Sequence, residues 1–292
     1  MTPDPVSLLH ERLSAGREYL VAAGIAPEEA AIDVDLFART ILGWDRARVL
    51  TARTEPAPAA LEPRFSEWIE RRANREPSAY IVGLREFWGL DFRVTPDVLI
   101  PRPETEFVVE EALTILQGLG VASPRLADIG TGSGNIAVSL AHEIPSATVT
   151  ATDVSAAALE VARENARRHG VERRVTLVET SFLDGIHDPF DLIVANPPYV
   201  KEGDKPALAR DVRREPDVAL FGGASGLRGI EATLDAAART LREGGWLVME
   251  FGFGQEEDVR RLTAARPSLR VDRVREDLQG IARTAVIQRT TP

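Results

Sequence analysis

The residues with the clearest chemical potential lie in two short loops. The first is Asp128-Ile129-Gly130-Thr131-Gly132-Ser133-Gly134-Asn135, which follows an apolar run and enters a helical one. Glycines at these three positions let the backbone turn sharply and let a ligand approach with no Cβ in the way. The next apolar run ends in Asp153, 19 residues after Gly134. An acid there can accept hydrogen bonds from both hydroxyls of a ribose. Loop, context and acid together point to a nucleoside cofactor. A dinucleotide site usually keeps G-x-G-x-x-G, so that a helix N-terminus faces the pyrophosphate. Here the third glycine comes one residue sooner, and Asp128 stands beside the loop. An acid so placed suits a cationic ligand end better than a diphosphate. S-adenosylmethionine, with a sulfonium and an ammonium, fits that pattern.

The second loop is Asn196-Pro197-Pro198-Tyr199, directly after the apolar run 191–195. In open α/β sheets ligands bind beyond the carboxyl ends of the strands, which is where this tetrapeptide falls. Its components suit one task, the positioning of a planar NH₂ group. The Asn196 side-chain oxygen can accept one N–H. The Pro197 carbonyl can accept the other, because two prolines fix the chain and leave that oxygen without a ladder partner. Tyr199 offers a flat face for stacking. An isolated N-P-P-Y can also be no more than a rigid turn, but beside a cofactor loop it reads as a substrate grip.

Both loops need a sheet to hold them. Residues 125–129, 147–152, 174–179, 191–195 and 246–251 read as strands, with helices at 135–144, 155–169 and 229–242 between them. This alternation predicts an open α/β sheet. Two late extended runs, 269–274 and 282–287, suit an antiparallel pair at one sheet edge. A helix through Phe107, Val108 and Leu113 leads into this series. Before it, 87–90 and 91–94 read as extended pieces of a hairpin-like connector spanning residues 86–100. Residues 1–85 read as a helical domain. Leu8, Leu9, Leu13 and Leu20 recur at helical spacing, as do Ile32, Leu36, Phe37 and Ile41, and then Phe65, Trp68, Ile69 and Arg72. Pro27-Glu28-Glu29 is a good helix start, and the catalytic domain is expected over 101–292.

Composition narrows the classes. The chain has 292 residues, 44% hydrophobic and 27% charged, in the range of a folded protein. No apolar run approaches the ~18 residues that span a bilayer, and the first 20 residues do not make a secretion signal. There is no Cys, and four scattered histidines show no ligand spacing, so no metal site is expected. A net charge of −10, with only two lysines, argues against a broad phosphate-binding surface. We expect a cytoplasmic monomer that contacts neither membrane nor nucleic acid directly.

Residues 128–135, Asp153 and 196–199 resemble the class I methyltransferases that modify NH₂ nitrogens. The resemblance narrows with Val98-Leu99-Ile100-Pro101-Arg102-Pro103-Glu104-Thr105-Glu106, which is similar to the HemK/PrmC family. Further matches are Glu215-Pro216, Ala219-Leu220, Gly222-Gly223, Gly226-Leu227, Gly244-Gly245, Glu250-Phe251-Gly252 and the run from Asp277 to Arg283. Together they cover about residues 80 to 288. The family are protein-(glutamine-N5) methyltransferases acting on class I peptide-chain release factors. The resemblance implies a Rossmann-like sheet behind the helical domain, and S-adenosyl-L-methionine as cofactor. Gly130, Thr131, Gly132, Ser133 and Gly134 should wrap its methionine and ribose portions. Asp153 should hold the ribose, Phe182 should lie near the adenine, and the 100–106 loop should close over the site. Asn196, Pro197, Pro198 and Tyr199 should grip the glutamine of the Gly-Gly-Gln motif, with residues 1–85 docking the rest of the substrate. Two rival readings remain. An adenine-N6 or cytosine-N4 DNA methyltransferase also presents an NH₂ to N-P-P-Y, but charge and the lack of a DNA-reading domain oppose it. A non-catalytic module of the translation machinery has no use for intact cofactor and substrate loops.

Overall fold

A computed structural model describes residues 7–291 of the chain. The chain divides into two compact units: one reaches to Gly83 and takes in Arg210–Arg214, the other is Leu84–Ala209 with the described residues from Glu215 on.

The first unit is helical: α1 (Leu9–Ala22), α2 (Pro27–Leu42), α3 (Arg46–Thr51), α4 (Arg64–Ala73) and α5 (Ser78–Val82). Pro27 opens α2 with Glu28 and Glu29 in its first turn, and left-handed Gly43 closes it. Leu9, Leu13 and Leu20 of α1, Val34 and Phe37 of α2 and Phe65, Trp68 and Ile69 of α4 form one core, in which Phe37 meets Trp68 edge to face at 5.4 Å. Ile32, at helical spacing with Leu36 and Phe37, is exposed instead. Arg72 has helical spacing with Phe65, Trp68 and Ile69 and is buried with them. It survives there because Asp33 accepts its Nε–H at 2.6 Å, with Glu29 and Asp211 alongside. Asp211 belongs to the 210–214 segment, and neighbouring Arg214 donates to the Asn74 carbonyl.

The second unit opens with a hairpin of β1 (Leu84–Phe87) and β2 (Leu90–Arg93). The expected extended piece 87–90 straddles its turn instead. Trp88 and Gly89 both have positive φ (54° and 69°), as a two-residue turn between right-twisted strands requires. Then come α6 (Glu106–Leu119), β3 (Arg125–Ile129), α7 (Asn135–Glu143), β4 (Thr148–Asp153), α8 (Ala156–Arg168), β5 (Val175–Glu179) and β6 (Phe190–Ala195). The rest is α9 (Asp217–Leu220), α10 (Arg228–Thr240), β7 (Leu241–Glu250), α11 (Glu256–Ala264), β8 (Leu269–Glu276) and β9 (Ala282–Arg289). The seven strands run in the order β5-β4-β3-β6-β7-β9-β8. The first five are parallel; β9 pairs antiparallel with β7, and β8 with β9 at the edge. Apolar clusters cover both faces, as buried parallel strands demand.

The strand order reverses between β3 and β6, and this switch point is where an open sheet leaves a crevice. Their register pairs Ile129 with Ala195. The glycine loop and the Asn-Pro-Pro-Tyr loop therefore leave the sheet side by side.

Candidate active site

A cavity of about 610 Å³ opens at this switch point. It is lined by Gly130, Thr131, Gly132 and Ser133, by Asp153 and Phe182, and by Asn196, Pro197 and Pro198. The 97–105 segment borders it too, through Val98, Leu99, Pro101, Arg102 and Thr105. That segment is pinned by buried Glu215, which accepts the Ile100 N–H at 3.0 Å and pairs with Arg102.

The glycine loop divides by function. Gly130 and Gly132 have positive φ, and a Cβ built on either would meet nothing within 4 Å. They leave an open cradle on the cavity side. Gly134 faces the other way, where a Cβ would lie 3.2 Å from the Ala162 Cβ of α8. Its role is close packing of α7 against α8 rather than ligand approach. Asp153 receives the Gly132 N–H at 2.9 Å on one carboxylate oxygen and the Ser155 N–H at 2.9 Å on the other. These bonds aim the carboxylate at the cavity and leave lone pairs for two hydroxyls. Phe182 lies across from it with φ 50°, an uncommon conformation for an aromatic residue. Its carbonyl accepts the Thr152 hydroxyl at 2.6 Å, which helps to hold that geometry.

Asp128 differs from the sequence expectation. It is fully buried, does not border the cavity, and accepts the Thr131 hydroxyl at 2.6 Å and the Ala137 N–H at 3.2 Å. It braces the loop from beneath, and its Oδ1 has no partner. Burial pushes its carboxyl up to about 7, against the pull of those two bonds. The folded state then binds more protons than the unfolded chain, whose value is near 3.8. The stability tied to the protonated form is complete below about pH 4 and is lost as pH rises to about 7. Asp128→Asn cannot ionise. In thermal melts without cofactor, its Tm relative to wild type should climb between pH 4 and pH 7 and then level off. A difference independent of pH would show that Asp128 keeps an ordinary carboxyl.

In the second loop, Asn196 donates from Nδ2 to the Thr105 hydroxyl at 3.1 Å. No donor of the described residues reaches the Pro197 carbonyl. Tyr199 does not border the cavity: its half-buried ring packs on the second apolar cluster, and its hydroxyl donates to Glu250 at 3.2 Å. Burial first, then the neighbouring Glu250, drive the Tyr199 hydroxyl well above its ordinary value, so it remains a donor. The expected stacking face is thus spent on packing, while the hydroxyl anchors the end of the tetrapeptide.

Sequence reasoning missed what supports this loop from behind. A Cβ on Gly222 or Gly229 would sit 2.5 or 2.8 Å from the Pro198 carbonyl oxygen. One on Gly226 would sit 2.5 Å from that of Tyr199. Gln255 accepts the Gly252 N–H and donates to the carbonyls of Tyr199 and Gly226. Gly222 and Gly226 were visible as motif residues without a role; Gln255 and Gly229 carried no local signal.

A switch-point cavity lined by an open glycine cradle, the Asp153 carboxylate and the Asn-Pro-Pro-Tyr loop belongs to a Rossmann-like methyltransferase that uses S-adenosylmethionine. The comparisons with known proteins agree. Residues 111–220 match the family described as "Methyltransferase small domain" and 11–83 the "PrmC N-terminal domain". The chain is 46% identical over 250 residues to a release factor glutamine methyltransferase of Moorella thermoacetica, covering 84% of this chain and 88% of that protein. It is 41% identical over 268 residues to one of Bradyrhizobium diazoefficiens, covering 91% and 90%. The chain belongs to the release factor glutamine methyltransferase family. A solved methyltransferase from Pyrococcus furiosus shares the fold at 20% identity and TM-score 0.52, covering 78% of this chain and all of that one.

Proposed function

We propose that this enzyme transfers a methyl group from S-adenosylmethionine to the side-chain amide nitrogen of a glutamine in peptide-chain release factors, that of the Gly-Gly-Gln motif. One observation carries the reading: the cradle of Gly130 and Gly132 and the acceptors of Asn196 and Pro197 line a single cavity. The bound cofactor supplies an electrophilic methyl on a sulfonium. The residues do the rest. Asp153 holds the ribose hydroxyls, and Phe182 packs near the base. Gly130, Thr131, Gly132 and Ser133 pass close along the ligand.

An amide nitrogen is a poor nucleophile because its lone pair is shared with the carbonyl. With its NH₂ protons accepted by Asn196 Oδ1 and the Pro197 carbonyl, electron density moves onto nitrogen and its orientation is set. Holding that nitrogen ~3–3.5 Å from the methyl carbon would supply the proximity contribution. The same two oxygens would stabilise the positive charge that develops on nitrogen during transfer. The surplus proton then leaves to water. Pro198 and Tyr199 keep the acceptors in place.

We place the enzyme, as a monomer, in the cytoplasm, where release factors act. No helix among the described residues is long and apolar enough to cross a membrane. A glutamine side chain offers too few contacts to select one protein among many. The helical unit, the sizeable part of the chain outside the catalytic fold, is therefore assigned to docking the release factor body. The test is incorporation of tritiated methyl from cofactor into release factor, a Gly-Gly-Gln peptide and duplex DNA. We expect the protein to be modified far more efficiently than the peptide, and DNA not at all. Label in DNA alone would overturn the activity; equal kcat/KM on protein and peptide would overturn docking.

A further inference from the structure

We propose that Glu250 is a positioning residue that acts through Thr105 to decide which end of the Asn196 amide faces the substrate. The inference deepens the reading of Asn196 as an acceptor and rests on it. Glu250 ends β7, 2% exposed. Its Oε2 accepts the Thr105 hydroxyl at 2.6 Å, and its Oε1 accepts the Tyr199 hydroxyl at 3.2 Å. Thr105, itself buried in the short turn Pro103–Thr105, accepts Asn196 Nδ2 at 3.1 Å.

The polarity of this chain follows from counting protons. Both hydroxyls donate to the Glu250 carboxylate, one to each oxygen. A hydroxyl has one proton, and Thr105 has committed its own to Glu250. Only a lone pair is left for Asn196, so the amide must present its nitrogen inward and its oxygen to the cavity. Without the carboxylate, the Thr105 hydroxyl is free to turn and donate to Asn196 Oδ1. The amide would then offer its NH₂ to the substrate NH₂, donor against donor. The same carboxylate holds Tyr199, so one buried group sets both ends of the tetrapeptide. Burial pushes the Glu250 carboxyl up, and the Thr105 and Tyr199 hydroxyls oppose that shift by stabilising the charged form.

A merely structural Glu250 would brace the 103–105 turn and would affect cofactor affinity and melting alone. The full chain is compared as wild type, Thr105→Val, Thr105→Ser, Glu250→Gln and the Glu250→Gln/Thr105→Val double variant. The readouts are kcat on release factor, cofactor Kd by calorimetry, and proton exchange of the Asn196 side-chain NH₂ by NMR. Thr105→Val should lower kcat by about 30-fold or more, the scale of a lost oriented hydrogen bond. Cofactor Kd should stay within about twofold, and the Asn196 NH₂ protons should lose protection. Thr105→Ser should restore kcat. The double variant should be no slower than the slower single one, since both act on one link. Thr105→Val with near-normal kcat, a Kd that weakens in step with kcat, or effects that multiply would overturn the proposal. If Glu250→Gln does not fold, the Val and Ser variants still decide. If the wild type leaves release factor unmodified, the functional reading fails, and unchanged NH₂ protection in Thr105→Val separately counts against the positioning role.

Discussion

Asn196→Ala should lower the methyl-transfer rate on release factor by about 100- to 1,000-fold, the cost of removing one group aimed at developing charge. In the proposed mechanism its side-chain oxygen is one of two acceptors for the reacting NH₂, so most of the loss should fall on kcat. Cofactor binding should survive, because the loop at 130–133 and Asp153 keep their own bonds, to Thr152, Gly132 and Ser155. Asp153→Ala should show the converse. Its carboxylate both faces the cavity and receives the Gly132 N–H, so cofactor Kd should weaken first. Calorimetry with cofactor and single-turnover methyl transfer separate the two. An Asn196→Ala enzyme with turnover within a few-fold of wild type would remove Asn196 from its assigned role.

Gly226→Ala, outside the cavity lining, should be nearly as damaging. A Cβ there would sit 2.5 Å from the Tyr199 carbonyl oxygen and 3.1 Å from Gln255 Nε2. Its φ of +75° is also a conformation that costs an alanine about 1–2 kcal/mol. Relief requires the Tyr199 carbonyl to move, and Gln255 clamps that carbonyl from the same side. A displacement near 1 Å passed to Asn196 is enough for a ~100-fold loss in kcat/KM. Cofactor Kd should change little, because the clash lies behind the substrate loop. Gly118→Ala provides the contrast. It sits on an exposed turn of α6, where a Cβ meets nothing within 4 Å. It should raise stability by about 0.5–1 kcal/mol at unchanged activity. Equal activity in the two variants would show that the backbone approach at Gly226 carries no functional load.

What was legible in the sequence was whatever depends on near neighbours along the chain. Short apolar runs ended at Asp153 and Asn196, and a glycine loop ended the run before them. Strand ends and loop chemistry therefore pointed to the crevice that both loops line, although the hairpin turn slipped onto Trp88 and Gly89. Helix α11 was missed because its exposed face is dense with charge, leaving Val259, Leu262 and Thr263 as its buried residues. Tertiary structure alone decided which residues at those loops face the cavity. Gly134 and Asp128 look from the sequence like parts of the cradle, yet one packs a helix and the other braces the loop from below. The Thr105–Glu250 and Asn196–Thr105 bonds join residues 145 and 91 positions apart. The segment 210–214, surrounded in sequence by the catalytic unit, packs with the helical one. Periodicity and spacing encode which face of an element is apolar. They do not encode which buried polar groups meet once the faces are packed, because a satisfied buried hydrogen bond depends on distances set by the whole fold.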